Sequence, residues 1–477
     1  MKKLLLSLLL LAIQSAFSQT LEKTLPIQID KKADCIEIID EKNKQLSLFI
    51  IDKLNLKLIR INEKLAIIDS ISTPKLDNKY NRLFGYSIDS NKYFTYWNSK
   101  EKGELGCLTF DFNSKKTTFS TLKFEFEKDV KLYSYHKNGT LNVISCDKNG
   151  NNLYIRKITG TEIENHTIDF TGKTFFSYEG KRISLSELFE SSNSMQGPFI
   201  LQLISSETPP SLVLAAKRKK IYIEDTKLKF TFDNYDIGTQ VIDVNLNDYT
   251  FTQKLISQPY FPKPESMDYY SHPTVSLFFE NHYIQLKSSP SELFISIKNE
   301  AGDEIKSYKI EQDKEVPFRT SDIIQENGSI KDTRILSKSN QLLRKISNLN
   351  PALSLYKSEG NYILVLGGIS EAQQNSALYI GSMFGVAGVL IASAITYYSK
   401  ENFNSYANRK VVYTSSKFDE NFNPVNDYVK KTGFDRMRSF ISDKTILNPT
   451  LFTFNNTLYL GGIIKGENAY SIYSFQD

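Results

Sequence analysis

The chain has 477 residues, which is compatible with one large all-β domain. Its 59 Lys and Arg residues against 54 Asp and Glu residues give a formal net charge of +5, which excludes a strongly basic nucleic-acid binder. Apolar residues at 40% and aromatic residues at 12% exclude wholesale disorder, and three Cys are too few for a disulfide-built scaffold.

The first 18 residues predict a secretory signal peptide. Lys2 and Lys3 form a positive start, residues 4–13 supply an apolar run, and Ala16 and Ser18 place small residues before a cleavage site. The apolar run is short for a membrane span. The leader therefore predicts export to the periplasm or the cell envelope of a bacterium, with membrane association left open.

Short apolar or alternating runs bounded by turn residues predict β-strands along the whole chain. They are residues 46–51, 93–97, 132–135, 141–146, 153–158, 227–232, 275–279, 293–297, 362–366 and 451–454. Asn138-Gly139 predicts a tight hairpin, because both residues tolerate positive φ. Helical periodicity is confined to residues 182–190 and 341–347, so the predicted fold class is all-β.

Strand spacing favours a β-propeller-like fold with about six to eight blades. Phe49, Phe94 and Val143 follow one another at intervals of about 45 to 49 residues, close to the length of one four-stranded blade. Residues 362–369 and 456–463 share the sequence Leu-Gly-Gly-Ile, which predicts two inner strands that end in a glycine pair. Closure into a ring would leave few exposed strand edges.

The alternative architecture is a pair of β-sandwich domains. The cluster of prolines at positions 259, 262 and 264 would separate them. The later strand intervals are irregular and no named blade signature recurs, so this alternative stays open at the level of the sequence.

Residues 377–398 form an apolar run without a single charge, long enough to cross a bilayer as a helix. Gly381, Gly385, Gly388 and Ala392 would form a face of small residues suited to close helix packing or membrane contact. A helix that dips into a membrane, a buried or oligomer-forming helix, and a true crossing are all open. The predicted division of the chain is a signal peptide (1–18), a first propeller part (19–370), an apolar helical insert (371–408) and a last propeller part (409–477).

Signatures of catalysis and metal binding are missing from the sequence. It contains no Gly-x-Ser-x-Gly elbow, phosphate loop or dinucleotide glycine pattern. Its four histidines, His136, His166, His272 and His282, show no His-Glu-x-x-His spacing. No cofactor, metal site or catalytic residue is therefore predicted.

Three further features have structural interpretations. The cationic run 217–220 is expected to be a solvated turn before a strand, and the aromatic strand 93–97 is expected to belong to the core rather than to a ligand site. Cys35, Cys107 and Cys146 are expected to be small apolar residues in strands, with a bridge between one pair left open.

Together these features predict an exported, non-catalytic β-propeller-like binding or assembly module at the bacterial cell envelope. Its ligand would be a protein, peptide or glycan, with no nucleic acid, and residues 377–398 would contact a membrane or a second copy of the chain. The alternative is an exported hydrolase or lyase that acts on glycans on the same scaffold.

Overall fold

Seven antiparallel sheets of four or five strands follow one another along the described part of the chain and close into a β-propeller. The structure is a computed structural model that describes residues 19–30, 33–101, 103–124, 126, 128–205, 208–259, 274–312, 314–371, 406, 408–467 and 469–476. Seven blades fall within the predicted range, and the all-β, β-propeller-like prediction is confirmed. The two-sandwich alternative is wrong.

The first three blades are regular four-stranded sheets, and a strand of the seventh blade precedes them. These strands are β1 (Gln19–Leu25), β2 (Asp34–Asp40), β3 (Gln45–Ile51), β4 (Asn55–Ile61), β5 (Ile67–Pro74), β6 (Tyr80–Asp89), β7 (Lys92–Ser99), β8 (Glu104–Asp111), β9 (Lys116–Lys123), β10 (Asp129–Lys137), β11 (Thr140–Asp147), β12 (Asn152–Thr159) and β13 (Glu162–Asp169). The sheets are β2–β5, β6–β9 and β10–β13, each in chain order.

A two-stranded sheet, β14 (Phe175–Phe176) with β15 (Arg182–Ile183), precedes the fourth blade. The fourth and fifth blades comprise β16 (Gln202–Leu203), β17 (Lys219–Ile223), β18 (Lys227–Tyr235), β19 (Gly238–Asn245), β20 (Phe251–Ser257), β21 (Thr274–Phe279), β22 (His282–Ser288), β23 (Glu292–Lys298) and β24 (Glu304–Glu311). The short strand β16 pairs in parallel with β17 and extends the fourth blade to five strands.

The sixth blade departs from chain order. Its strands are β25 (Ile323–Asn327), β26 (Thr333–Leu336), β27 (Asn350–Ser358), β28 (Asn361–Ile369) and β29 (Lys410–Phe418), in the spatial order β26-β25-β29-β28-β27. The seventh blade contains β30 (Ile446–Phe454), β31 (Thr457–Ile464), β32 (Tyr470–Phe475) and β1. All ten predicted strand segments lie in strands of these blades.

The described residues form four helices: α1 (Leu185–Glu190), α2 (Leu212–Ala215), α3 (Ser339–Ser347) and α4 (Gly433–Asp443). Helices α1 and α3 confirm the two predicted helical segments, whereas α2 and α4 were not predicted. Helix α4 begins with a capping box, in which Thr432 and Asp435 each accept a hydrogen bond from the other's backbone N–H. No helix within the described ranges is both long and apolar enough to cross a membrane.

The ring closes where the first described strand pairs with the last one. Strand β1 lies antiparallel to β32 at the outer edge of the seventh blade, with Leu25 opposite Tyr470. Leu25 is 1% exposed and belongs to the apolar cluster between the seventh and first blades, whereas Leu21 on the same strand is 52% exposed. One strand from the start of the chain therefore joins both ends of the ring.

Apolar side chains from both neighbouring sheets fill six of the seven gaps between blades in the described structure. We call such a gap a seam. The seam between the sixth and seventh blades is different, because α2 packs on the sixth blade in one apolar cluster and α4 packs on the seventh blade in another. The two clusters are separate, and polar groups lie between them.

The predicted hairpin at Asn138-Gly139 and the two Leu-Gly-Gly-Ile segments can be located in the structure. Asn138 and Gly139 adopt φ values of 50° and 81° in the hairpin between β10 and β11, as predicted. The shared Leu-Gly-Gly-Ile segments lie in β28 and β31, each of which is flanked by a strand on both sides within its sheet. At Gly367 a Cβ atom would collide with the carbonyl oxygen of Val412 on the neighbouring strand, which explains the glycine there.

The interpretation of residues 217–220 as a solvated turn is wrong for two of its four members. Lys219 and Lys220 are 1% and 0% exposed. The Lys219 ammonium donates to the carbonyl oxygens of Phe189 (2.7 Å) and Gly197 (3.1 Å), which places it at the carboxyl end of α1. A cationic run in the sequence therefore conceals a buried ammonium that is fixed by backbone carbonyls.

Because β1 closes the ring, we expect alanine substitutions at two of its leucines to lower the free energy of unfolding by different amounts. Leu25→Ala is expected to lower the free energy of unfolding by about 2–4 kcal/mol, because it opens a cavity in the closing seam. Leu21→Ala, the matched control, should change it by less than about 0.5 kcal/mol. Urea unfolding of both variants checks this, and equal losses would contradict the role given to the β1–β32 pair.

Candidate functional site

A cleft of about 1200 Å³ occupies the seam between the sixth and seventh blades. One wall is a face of the sixth blade, and the opposite wall comes from α4 and the chain segment that precedes it. Residues 209–211, just before α2, and Tyr406 complete the lining. The cleft exists because helices, rather than a second sheet face, pack into this seam.

Strand register determines which side chains of the sixth blade face the cleft. Ser354, Val365 and Ser415 lie side by side on β27, β28 and β29. Tyr413 lies two residues before Ser415 on the same face, and Ile324 is its partner on β25. Because side chains on alternate positions share a face, this wall combines hydroxyl groups with apolar surface.

An ion pair crosses the seam between the blade and α4. The Arg438 guanidinium donates to both Glu326 carboxylate oxygens, at 2.7 Å and 3.4 Å, and the Tyr413 hydroxyl donates to the same carboxylate at 3.1 Å. Glu326 is 1% exposed. Burial opposes the charge on Arg438, but the attraction and hydrogen bonds of Glu326 outweigh it and raise the guanidinium pKa. The Arg438 guanidinium therefore keeps its charge in this buried position.

Two tyrosines enclose this ion pair. The Arg438 guanidinium carbon lies 4.6 Å from the centre of the Tyr406 ring, and the Tyr406 hydroxyl accepts a hydrogen bond from the backbone N–H of Leu212 at 3.2 Å. Burial is the main cause that raises the pKa of both Tyr406 and Tyr413. Both phenols are thus neutral, and that of Tyr406 keeps its own proton available for donation.

Charges of both signs line the cleft, with more cations than anions. The cationic members are Arg319, Arg334, Lys430, Lys431 and Arg438, and the acidic members are Asp322, Glu326 and Asp435. Lys430 pairs with Glu359 at 2.6 Å, whereas Arg334 donates to the neutral amide oxygen of Gln325 at 3.0 Å. Neither Arg334 nor Lys431 forms an ion pair with a carboxylate of the described residues.

The sequence analysis identified none of these cleft residues. A signal existed for Arg438, because it follows Phe434 by four residues and so shares the apolar face of a helix. Glu326 interrupts a strand-like run that begins at Ile323. Their pairing spans 112 positions in the sequence, and no local pattern predicts it.

The residues that the sequence analysis did single out lie elsewhere. Gly381, Gly385, Gly388 and Ala392, as well as the whole of 1–18 and 377–398, lie outside the described residues, as does His272. Two of the three remaining histidines lie in the third blade, His136 on β10 and His166 on the edge strand β13, and His282 lies on β22 of the fifth blade. His136 and His166 share the third blade but lie on different strands, so no histidine pair is brought together with His282. Within the described ranges, no group of three or more His, Cys, Asp or Glu side chains is placed to hold a metal ion.

The predictions for cysteines and aromatic residues are confirmed. Cys35, Cys107 and Cys146 are buried, lie in strands and form no disulfide bond. Tyr93, Tyr96 and Trp97 of the aromatic strand are each at most 3% exposed and belong to the core. These residues therefore stabilise seams and do not line the cleft.

Comparison with known proteins yields likeness only to solved structures. No family model and no curated protein matches the chain. The similar structures include a cobalt-substituted Synechocystis ACO (TM-score 0.28, 8% identity, 57% of this chain and 59% of that chain). They also include an ACO/RPE65 chimera (TM-score 0.27, 8% identity, 57% and 59%) and a variant of Synechocystis apocarotenoid oxygenase (TM-score 0.27, 7% identity, 56% and 58%). The match spans less than two thirds of those proteins.

This comparison corrects the function predicted from the sequence. The solved structures are oxygenases, whereas the sequence predicted an exported, non-catalytic binding or assembly module, with a glycan hydrolase or lyase as the alternative. That prediction is wrong in both forms. At 8% identity or less, no activity, substrate or metal of those oxygenases is transferred to this chain.

The ion pair across the seam predicts a large stability effect. Glu326→Ala is expected to cost about 3–5 kcal/mol of unfolding free energy, because it leaves the Arg438 charge buried without a partner. Glu359→Ala, which removes the partner of Lys430 in an exposed pair, is the matched control and should cost less than about 0.5 kcal/mol. Chemical denaturation measures both, and similar small losses would show that Glu326 does not hold the seam.

His136 predicts a pH dependence of stability. Its ring contacts that of Tyr86 at a tilt of 30°, with centroids 4.4 Å apart, and burial lowers its pKa to about 4. The unfolded chain, with an ordinary pKa near 6.5, binds the proton first, so stability is lost as the pH falls from about 6.5 towards 4. The loss is on the order of 3 kcal/mol.

The difference between the wild type and His136→Phe isolates this contribution from the carboxylates that titrate nearby. Thermal or urea unfolding between pH 4 and 7 should show a shallower pH slope for the variant. An unchanged slope would contradict the assignment.

Proposed function

We propose that the cleft binds a small organic anion with an apolar body. The observation that carries the proposal is that one seam of the ring is open and polar, whereas six are filled by apolar side chains. A concave space of this size, with apolar walls and a few convergent polar groups, is typical of small-molecule sites.

The charge of the proposed ligand follows from the cations that line the cleft. Among its three acidic members, Glu326 is neutralised by Arg438, Asp435 accepts hydrogen bonds at the start of α4, and Asp322 is a single further carboxylate set against two further cations. Arg334 and Lys431 then remain to attract and hold a carboxylate or phosphate group.

The apolar part of the proposed ligand is inferred from the apolar side chains in the walls of the cleft. Val365 and Tyr413 line the wall formed by the sixth blade, and Phe434 lines the wall formed by α4. An aliphatic or aromatic body between these groups would lose contact with water, and burial of apolar area is favourable at about 25 cal/mol per Å². The Ser354 and Ser415 hydroxyls would orient polar atoms of the ligand.

The Arg438–Glu326 pair has a different role in this proposal. Because each charge already satisfies the other, the pair holds α4 at a fixed distance from the sixth blade and thus sets the width of the cleft. Arg438 is accordingly a positioning residue and not the group that receives the anion.

Export through residues 1–18 stays a prediction from the sequence, as does contact of residues 377–398 with a membrane or a second copy of the chain. The proposed ligand site depends on neither. It rests on residues 209–211, 319–335, 354–365, 406 and 413–439 of the described structure.

Ligand-induced stabilisation of the full chain tests the proposal. Dodecanoate and indole-3-acetate below micellar concentration should raise the melting temperature, whereas dodecyltrimethylammonium should not. A ligand at a hundred times its dissociation constant adds about 2.7 kcal/mol to the stability of the fold. Arg334→Gln/Lys431→Gln should weaken binding of the anions about tenfold, measured by isothermal titration calorimetry.

Two controls sharpen this test. Lys42→Gln/Lys64→Gln removes the same charge from exposed turns of the first blade and should leave affinity unchanged. Val365→Trp fills the cleft and should abolish stabilisation by the anions, whereas Leu255→Trp on the exposed face of the fourth blade should not. If none of the anions binds, or if Val365→Trp binds them as the wild type does, the proposal fails.

A further inference from the structure

A basic cluster lies at the end of the sixth blade against which α3 packs. It consists of Arg334 on β26, Arg344 and Lys345 in the last turn of α3, and Lys410 at the start of β29. The apolar residues Leu342, Leu343 and Ile346 hold α3 on the blade. Packing of the helix therefore gathers four cations from three elements of one blade.

The charges of this cluster repel one another. The pKa of Lys345 is lowered, first by burial and then by repulsion from Lys410, Arg334 and Arg344. No carboxylate of the described residues is among the charges that shift it. Like charges held together without counter-charges are costly for the fold, and an anionic partner would relieve that cost.

The cluster lies beside the end of β28 and the start of β29, and the uncharged residues 377–398 lie between these two strands in the sequence. The backbone N–H of Ser370 donates to the Lys410 carbonyl oxygen, and the Lys410 N–H donates to the Ser370 hydroxyl, both at 2.9 Å. Ile369 and Val411 are partners in adjacent strands. The strands that flank residues 372–405 in the sequence, β28 and β29, are therefore neighbours, and their adjoining ends lie beside the cluster.

We propose that the basic cluster docks this protein on the surface of an anionic lipid bilayer. Lys and Arg residues next to an apolar membrane-seeking segment are attracted to acidic headgroups, and each strengthens binding about five-fold. Lipid is favoured over a soluble polyanion because the sequence between β28 and β29 contains 22 consecutive residues without a charge, which is the length and composition of a membrane-seeking segment. The cluster shares Arg334 with the lining of the cleft, but Arg344, Lys345 and Lys410 do not line it, so variants at these three residues test the lipid surface separately from the ligand.

Vesicle flotation of the full chain tests the proposal. Two kinds of vesicle are compared, one of phosphatidylcholine with about 30% phosphatidylglycerol and one of phosphatidylcholine alone. The measured quantity is the ratio of the protein's affinity for the anionic vesicles to its affinity for the neutral ones. The wild type should prefer the anionic vesicles, less so at high salt. Arg344→Gln/Lys345→Gln should reduce the preference about 25-fold while binding to neutral vesicles is unchanged.

Controls separate docking from folding and from general charge. Lys42→Gln/Lys64→Gln loses two charges from the first blade and should keep the preference. If Arg344→Gln/Lys345→Gln is unfolded by circular dichroism, Lys410→Gln provides the same test with an expected loss of about five-fold. Equal binding of the wild type to both vesicles, or an unchanged preference in the folded variants, would overturn the proposal.

Competition distinguishes the lipid surface from other anions. Free inorganic phosphate and a short DNA duplex should not displace the protein from anionic vesicles at concentrations that leave the vesicles intact. Displacement by the duplex at a lower concentration than that of accessible phosphatidylglycerol would assign the cluster to nucleic acid and overturn the proposal.

Discussion

Pairing of β1 with β32 is the constraint on which the rest of the structure depends. Because this pair joins the two ends of the chain in one sheet, the blades form a closed ring and every sheet has a neighbour on both faces. Each seam must then be filled by apolar side chains or lined by polar groups that satisfy one another. Six seams of the described structure are of the first kind, and the seam between the sixth and seventh blades is of the second kind.

The buried ion pair in that seam is not the most stable way to fill it. Replacement of a buried ion pair by packed apolar residues is often neutral or stabilising, because desolvation of both charges is costly. Glu326 and Arg438 are accompanied by Tyr413, whose hydroxyl supplies a third hydrogen bond to the carboxylate. Such a network fixes the distance between α4 and the sixth blade more than it adds to the free energy of unfolding. This agrees with the proposal that the width of the seam matters for ligand binding.

The fold could be predicted from the sequence because its signals are local. Alternation and turn residues such as Asn138-Gly139 define strands one at a time, and regular spacing then indicates blades. The cleft could not be predicted, because Glu326 and Arg438 meet only after the ring closes. Lys219 shows the same limit. Its cationic neighbours indicate a solvated turn, while its partners are carbonyl oxygens of α1 and of the segment that follows it, about 20 to 30 positions earlier in the chain.

The strand order of the sixth blade explains why the open seam lies next to it. In this blade the outer strands β25 and β26 precede the inner strand β27, and α3 carries the chain across the sheet between them. Strand β29 consequently ends in the interior of the sheet rather than at its edge, so the chain must leave the blade through the segment before α4. That segment and α4 then occupy the seam, keep the seventh blade's face from packing directly on the sixth, and leave the cleft. The same crossing places the last turn of α3 beside Lys410, so one change of strand order creates both the cleft and the basic cluster.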